Sequence, residues 1–316
     1  MKGWDLMKGN IIWIVLAGLI LYVGLILFSD VSKISDHFSN IRIELVFLVF
    51  AVAILSHIIK VFRQKELLQM VNEKISFKQN LIVYLAGLSL IVSPGGIGTF
   101  IKSHLLKQKF GIAENKSFPV IFLERYHDLI AATTIILATL VISFSWLSAT
   151  LVIISSLLSL GVYLVITKLD AFSFVYNKIK KIKFLATRLP EVGPNESFLI
   201  LTQPKAMTKG WLMSLAGWSL DSMAVYIGFL AFDVDLGYIL TSQIYFTSLG
   251  YGILSLIPGG IGVTEGVADY LLVQQGLAIS VASSIVIFTR LTTMWFATII
   301  GIIFARFALK QKVSIL

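Results

Sequence analysis

The chain of 316 residues is 57% hydrophobic and only 14% charged, proportions that suit a bilayer as solvent and exclude an ordinary soluble core. A formal charge of +9 could serve nucleic acid or an acidic membrane surface, but the Lys and Arg residues lie between hydrophobic runs, so no nucleic-acid face is expected. Cysteine is absent, which removes disulfides, thiolate metal sites and cysteine nucleophiles without naming a substrate.

In chain order, Met1 to Asn10 precede the apolar run Ile11 to Phe28, and no small-residue cleavage pattern follows it. The run is predicted as a first spanning helix and not as a signal peptide. Further spans are predicted at Ile43 to Phe62, Phe118 to Phe144, Trp146 to Thr167, Trp211 to Phe232 and Ser280 to Ala308. Each can cross a hydrocarbon core of ~30 Å at ~1.5 Å per residue. Two other apolar stretches, Asn80 to Ser93 and Ile239 to Ile257, run into the same pentapeptide, at Pro94 to Gly98 and Pro258 to Gly262. Both are read as re-entrant hairpins that break at Pro-Gly-Gly and return. The expected fold class is therefore an all-α polytopic membrane protein, with about six spanning helices plus two re-entrant hairpins.

Charge supports that reading. With a cytoplasmic N-terminus, only Lys33 and Arg42 fall outside and Arg125 and Arg290 fall within spans, while the other Lys and Arg residues lie inside. A full crossing by Asn80 to Ser93 would export the next two basic loops, against the positive-inside tendency. Both termini and the basic loop 168–210 are thus expected in the cytoplasm, and the location expected is the plasma (inner) membrane. The pentapeptides start 164 residues apart, and Ile121-Phe122 before Arg125 is matched by Ile287-Phe288 before Arg290. Between the hairpins an odd number of crossings intervenes, so the repeat, about 43–144 and 211–308 within one domain of residues 1–316, is expected to be inverted. Inverted repeats with broken helices are the architecture of many secondary transporters.

The candidate functional residues follow. Pro94, Gly95, Gly96 and Gly98, with Pro258, Gly259, Gly260 and Gly262, stop one helix and free the amides at the start of the next, a terminus that suits an anion such as phosphate; a plain tight turn is the other reading. Glu124, Arg125, His127, Asp128, Asp221 and Arg290 are ionisable residues at depth, where charge is expensive and needs a partner. Either the arginines bridge to Glu124, Asp128 or Asp221, or they hold a phosphate while a carboxylate carries a proton or meets a cationic headgroup. Glu265 and Asp269 follow the second break, where Lys102 and its neighbours follow the first. Thr99, Thr264 and Ser93 could cap helices or touch substrate. His57 and His104 are isolated, so neither a metal nor a cofactor is expected. Phe172, Val175, Ile179, Ile182, Ala186 and Leu189 recur at helical steps among basic residues, a pattern for an interfacial helix or for an ordinary loop helix, ended by Pro190.

The motif Ser93-Pro94-Gly95-Gly96-Ile97-Gly98 followed by Glu124-Arg125, and Pro258-Gly259-Gly260-Ile261-Gly262-Val263-Thr264-Glu265-Gly266 followed by Arg290, closely resembles the lysylphosphatidylglycerol synthase transmembrane-region family, also called flippase-like. The resemblance covers about Trp13 to Phe307. It implies a transporter or flippase that moves a phospholipid or polyprenyl-linked substrate, anionic or zwitterionic, between leaflets. Synthase relatives carry a soluble aminoacyltransferase domain after the membrane part; this chain resembles a stand-alone membrane member, with synthesis left to a separate lipid-modifying enzyme as a potential partner. Two alternatives stay open: a membrane glycosyl- or acyltransferase using Asp221, Glu265 or Asp128 as base on a lipid phosphate, and a non-transporting scaffold for a glycosyltransferase. Against the first, no catalytic motif is visible.

Overall fold

A computed structural model describes residues 31–181 and 196–310; the predicted span at Ile11 to Phe28 and the residues beyond 181 of the basic stripe lie outside the described residues. Within them the chain is helical throughout: α1 (Val31–Ser39), α2 (Ile43–Met70), α3 (Phe77–Leu88), α4 (Ile101–Phe110), α5 (Glu114–Leu140), α6 (Trp146–Ile166), α7 (Leu169–Lys180), α8 (Glu196–Leu201), α9 (Pro204–Ala231), α10 (Tyr238–Leu254), α11 (Val263–Gln274), α12 (Ile279–Arg290) and α13 (Phe296–Lys310). Short 3₁₀ turns at Pro94–Phe100 and Pro258–Gly260 join α3 to α4 and α10 to α11, and a π turn at Leu291–Trp295 joins α12 to α13.

Local chemistry sets these boundaries. Ser76 caps α3 in a reciprocal box with Gln79. Gly111, left-handed at φ 69°, closes α4. Pro204 begins α9, where its missing N–H costs nothing.

Three stretches among the described residues are long and apolar enough to cross a membrane: Ile43–Met70, Trp146–Ile166 and Ile279–Ala308. Helices α5 and α9, of 27 and 28 residues, are as long, but α5 carries Glu124, Arg125, His127 and Asp128 in mid-course. The hairpin helix α3 has 12 residues, a reach of ~18 Å that falls short of a bilayer. The surface and the interior are reversed relative to a soluble protein. Phe47, Leu157 and Ile303 are exposed, whereas Arg63, Gln64, Glu124 and Glu265 are fully buried. A surface of that kind is matched to hydrocarbon.

At the centre, α2 and α9, each of 28 residues, pack along their length in opposite directions. The Arg42 amide meets the Ala231 carbonyl at one end (3.0 Å) and Lys209 meets Glu66 at the other. Around this pair the element order of 43–140 recurs in 204–310: a long helix, a short helix, a Pro-Gly-Gly turn, a second short helix and another long helix. Contacts are exchanged accordingly, α3 packing on α13 and α10 on α5. Gly301 allows the first of these, because a Cβ there would strike the backbone of Leu88 and Ser89.

Two expectations need correction. The predicted span at Ile43 to Phe62 continues as one helix to Met70, with Arg63 and Gln64, the first polar residues after Phe62, buried against protein partners. The start of the basic stripe turns inward as well: Phe172 and Tyr176 are buried against Phe118, Phe122 and Phe198, so at these two positions α7 faces core.

Candidate functional site

The two Pro-Gly-Gly turns, remote in sequence, lie against each other. The incoming helices end at Leu88 and Leu254, a few residues before the prolines that open each turn, and Gly95 and Gly96 (φ 58° and 68°) and Gly259 and Gly260 (φ 64° and 63°) take the left-handed conformation that redirects the chain. Between them an apolar seam of Val92, Ile261 and Met294, flanked by Ile91 and Trp295, closes the centre. The amides that sequence reading offered to an anion have acceptors within the chain: the Gly98 N–H donates to Ser93 Oγ (2.6 Å) and the Gly262 N–H to Glu265 Oε2 (2.6 Å). Thr99 Oγ donates to the Gly96 carbonyl (2.8 Å), which makes it a turn brace.

Beside the second turn, α12 carries Arg290 against α11. Its Nε donates to Glu265 Oε1 (2.8 Å), and its Nη2 donates to the Gly259 carbonyl and contacts Met294 Sδ. Glu265 thus caps its own helix and neutralises Arg290 at once, in full burial. The π turn starts at the residue after Arg290, widening the helix where the guanidinium leaves it.

Beside the first turn lies a larger network on α2, α4, α5 and α9. Lys102 Nζ binds Glu124 and, at 3.2 Å, Gln64 Oε1, with the ammonium 5.0 Å from the Tyr84 ring centroid. Arg63 Nη1 binds Asp128 (2.5 Å) and Ser214, and Arg63 Nη2 stands 3.8 Å from Glu124. Trp218 Nε1 donates to the same Asp128 oxygen (2.9 Å). Lys60 binds Asp221 across the α2–α9 seam, its ammonium 4.0 Å over the Trp218 ring. Arg125 reaches Asp128 Oδ2 (3.2 Å), and its side chain is 29% exposed. Packing follows the polar contacts: a Cβ on Gly217 would press on the Lys60 stem, and one on Gly210 would strike the His127 ring.

The structure therefore gathers Glu124, Arg125, Asp128 and Asp221 into one network and places Glu265 and Arg290 in another. The two contain bridges at matching places with opposite polarity. Lys102 on the short helix after the first turn pairs with Glu124 on the following long helix, and Glu265 on the short helix after the second turn pairs with Arg290 on the following one. Sequence reading aligned Arg125 with Arg290; by contact, Glu124 is the counterpart of Arg290. Neither arginine takes the same surroundings as the other.

Lys60, Arg63 and Lys102 were expected in cytoplasmic basic loops, and the structure buries all three. Gln64, Ser214 and Trp218 were missed. A signal existed: Lys60 follows Ser56 by four residues, and Arg63 and Gln64 follow Lys60 by three and four, so one polar stripe continues along the apolar helix α2.

A chain whose described residues are all-helical, with exposed aliphatic helices and a charged interior, is an integral membrane protein by class. The model of the lysylphosphatidylglycerol synthase TM region matches residues 15–301, and the chain belongs to that family. Among curated proteins it is similar to a UPF0104 membrane protein of Methanocaldococcus jannaschii, at 22% identity over 93% of this chain and 91% of the relative. It is also similar to one of Methanothermobacter thermautotrophicus, at 22% over 91% and 89%. A UPF0104 membrane protein of Pyrococcus horikoshii is 30% identical over 34% of this chain and 32% of its own length. The chain spans about a third of the length of the relatives it matches in short stretches, and about nine tenths of the more distant ones.

Proposed function

We propose that this protein moves a phospholipid or lipid-linked substrate between leaflets of the plasma membrane, by rocking two hairpin-bearing halves about the α2–α9 pair. The observation that carries the reading is the meeting of two broken helices beside ion pairs buried in mid-helix. Such charges are costly in a membrane, by ~3 kcal/mol or more each, and persist where a pathway needs them. Equal length and opposite direction of α2 and α9 support an inverted repeat, since in that arrangement a helix and its counterpart run antiparallel. In this reading about six spans and two re-entrant hairpins form one domain over 1–316, both termini are cytoplasmic, and the bridges Lys102–Glu124 and Glu265–Arg290 hold each hairpin to its own half.

The headgroup site of this reading is the first network, and Arg125 is its anion-binding member. Lys60, Arg63, Lys102 and Arg125 face the carboxylates of Glu124, Asp128 and Asp221, one cation in excess among the described residues. Arg125 shares a carboxylate already held by Arg63 and Trp218, and it is the most exposed of the four cations. A planar guanidinium of that kind donates two hydrogen bonds to a phosphate at once. The carboxylates that sequence reading offered a transferase as base, Asp128, Asp221 and Glu265, are each bound to a cation.

The test is reconstitution. Purified protein in liposomes should carry a fluorescent or aminoacylated phospholipid across the bilayer with its mass unchanged. Covalent change of the lipid by the chain alone would overturn the reading in favour of an enzyme, and inert liposomes would favour a scaffold.

A further inference from the structure

We propose that Asp269 is the carboxylate at which the protein takes up and releases a proton, and that lipid movement is driven by that proton. The inference rests on the transport reading and adds its energy source. Glu124, Asp128, Asp221 and Glu265 each have a cation, but Asp269 makes no ion pair with any described Lys, Arg or His. Its Oδ2 accepts one hydrogen bond from Ser283 (3.2 Å) on α12, and its Oδ1 is closed off from solvent without a hydrogen-bond partner. An ionised carboxylate oxygen in that position would forgo both water and donor. Protonation removes the charge, and a neutral carboxyl costs less in such a position than an ion does.

The surroundings give the proton a consequence and a route. Asp269 lies one turn after Glu265 on α11, and Arg290 on α12 holds Glu265. From α10, Tyr245 lines a cavity of about 30 Å³ together with Ala268 of α11 and Arg290 of α12. Ionised Asp269 sets a second negative charge one turn from Glu265, the carboxylate that holds Arg290; protonation leaves Glu265 as the one charged carboxylate of that pair. The proton thus biases the latch between α11 and α12. A groove of about 260 Å³, whose lining includes Gln243, Tyr270, Gln274 and Gln275, opens along the C-terminal half of α11, beginning at the residue after Asp269, and offers water an approach. In the step itself a water-borne proton forms an O–H bond at Asp269, and release on the other side restores the carboxylate, with no other bond changed.

Two measurements on the full chain in liposomes test this. Difference infrared spectroscopy between acid and alkaline buffer should show the carbonyl stretch of a protonated carboxylic acid, absent in Asp269→Asn and shifted in Asp269→Glu. A band unchanged in Asp269→Asn, or no band at all, overturns the assignment. Lipid movement should accelerate under an imposed proton gradient in the wild type, and Asp269→Asn should lose that stimulation. Stimulation by a sodium gradient instead, or a proton response kept by the variant, also overturns it. If Asp269→Asn does not fold, Ser283→Ala should shift the pH at which the band appears. Failure of the wild type to move lipid, with the infrared band present, would count against transport and leave the proton site standing.

Discussion

At the scale of single residues, the two arginines singled out by the repeat have different work. Arg290 is enclosed, with Glu265, the Gly259 carbonyl and Met294 around it. Removing one member of a buried pair strands the other, at a cost of about 3 to 5 kcal/mol. Glu265→Gln should therefore lower thermal stability in detergent markedly, and Glu265→Gln with Arg290→Met should regain much of it; a single variant as stable as the parent would sink the bridge. Arg125, with 29% of its side chain exposed and a carboxylate it only shares, is the opposite case. Arg125→Gln should leave the melting temperature within a few degrees of the parent while lipid movement falls, and Arg125→Lys should recover little because an ammonium lacks the fork. Normal transport in Arg125→Gln would move the phosphate site elsewhere.

At the scale of elements, topology is open to a direct check because the chain has no cysteine. Ser35, Lys74, Gln203 and Ala278 are exposed. Replaced singly by cysteine, Ser35 and Ala278 should react with an impermeant thiol reagent in intact cells, and Lys74 and Gln203 should not. External labelling at Gln203 would refute both the orientation and the inverted repeat. Packing between the halves has its own test at Gly301, where α13 crosses the end of α3. Gly301→Ala places a methyl on the backbone of Leu88 and Ser89, and overpacking of that kind costs about 1 to 3 kcal/mol. Unfolding measured beside Gly161→Ala, a glycine with open space around it, separates this contact from a general effect of alanine. The helix boundaries that sequence reading set too short share a cause. Polarity after Phe62 and before Trp211 resembles loop polarity until a partner helix supplies the opposite charge, as Glu66 and Lys209 do for each other.

At the scale of the whole molecule, rocking requires the seam of Val92, Ile261 and Met294 to part. Cysteines at Val92 and Ile261, joined by oxidation, should stop lipid movement, and reduction should restore it. Transport that continues through the crosslink would mean that the two turns move as one body. Local patterns carry a long way here: hydrophobic run length, the repeated Pro-Gly-Gly-Ile-Gly and the distribution of Lys and Arg require only neighbours along the chain, and they give the membrane class, the broken helices and the family.

Those patterns settle what each segment is, since helix length and turn chemistry are local properties of the backbone. Pairing is not local. Lys60, Arg63 and Lys102 read as loop cations because their counter-charges, Asp221, Asp128 and Glu124, come from α9 and α5, while the nearby Glu66 pairs with Lys209. Burial of a charge is decided by whether another helix brings its partner within hydrogen-bond reach, and only the tertiary structure fixes that. The reversed bridges Lys102–Glu124 and Glu265–Arg290 show the division plainly. Sequence alone marks Lys102 and Glu265 as residues at like places after like turns, and the fold alone shows that each is held by the long helix following it.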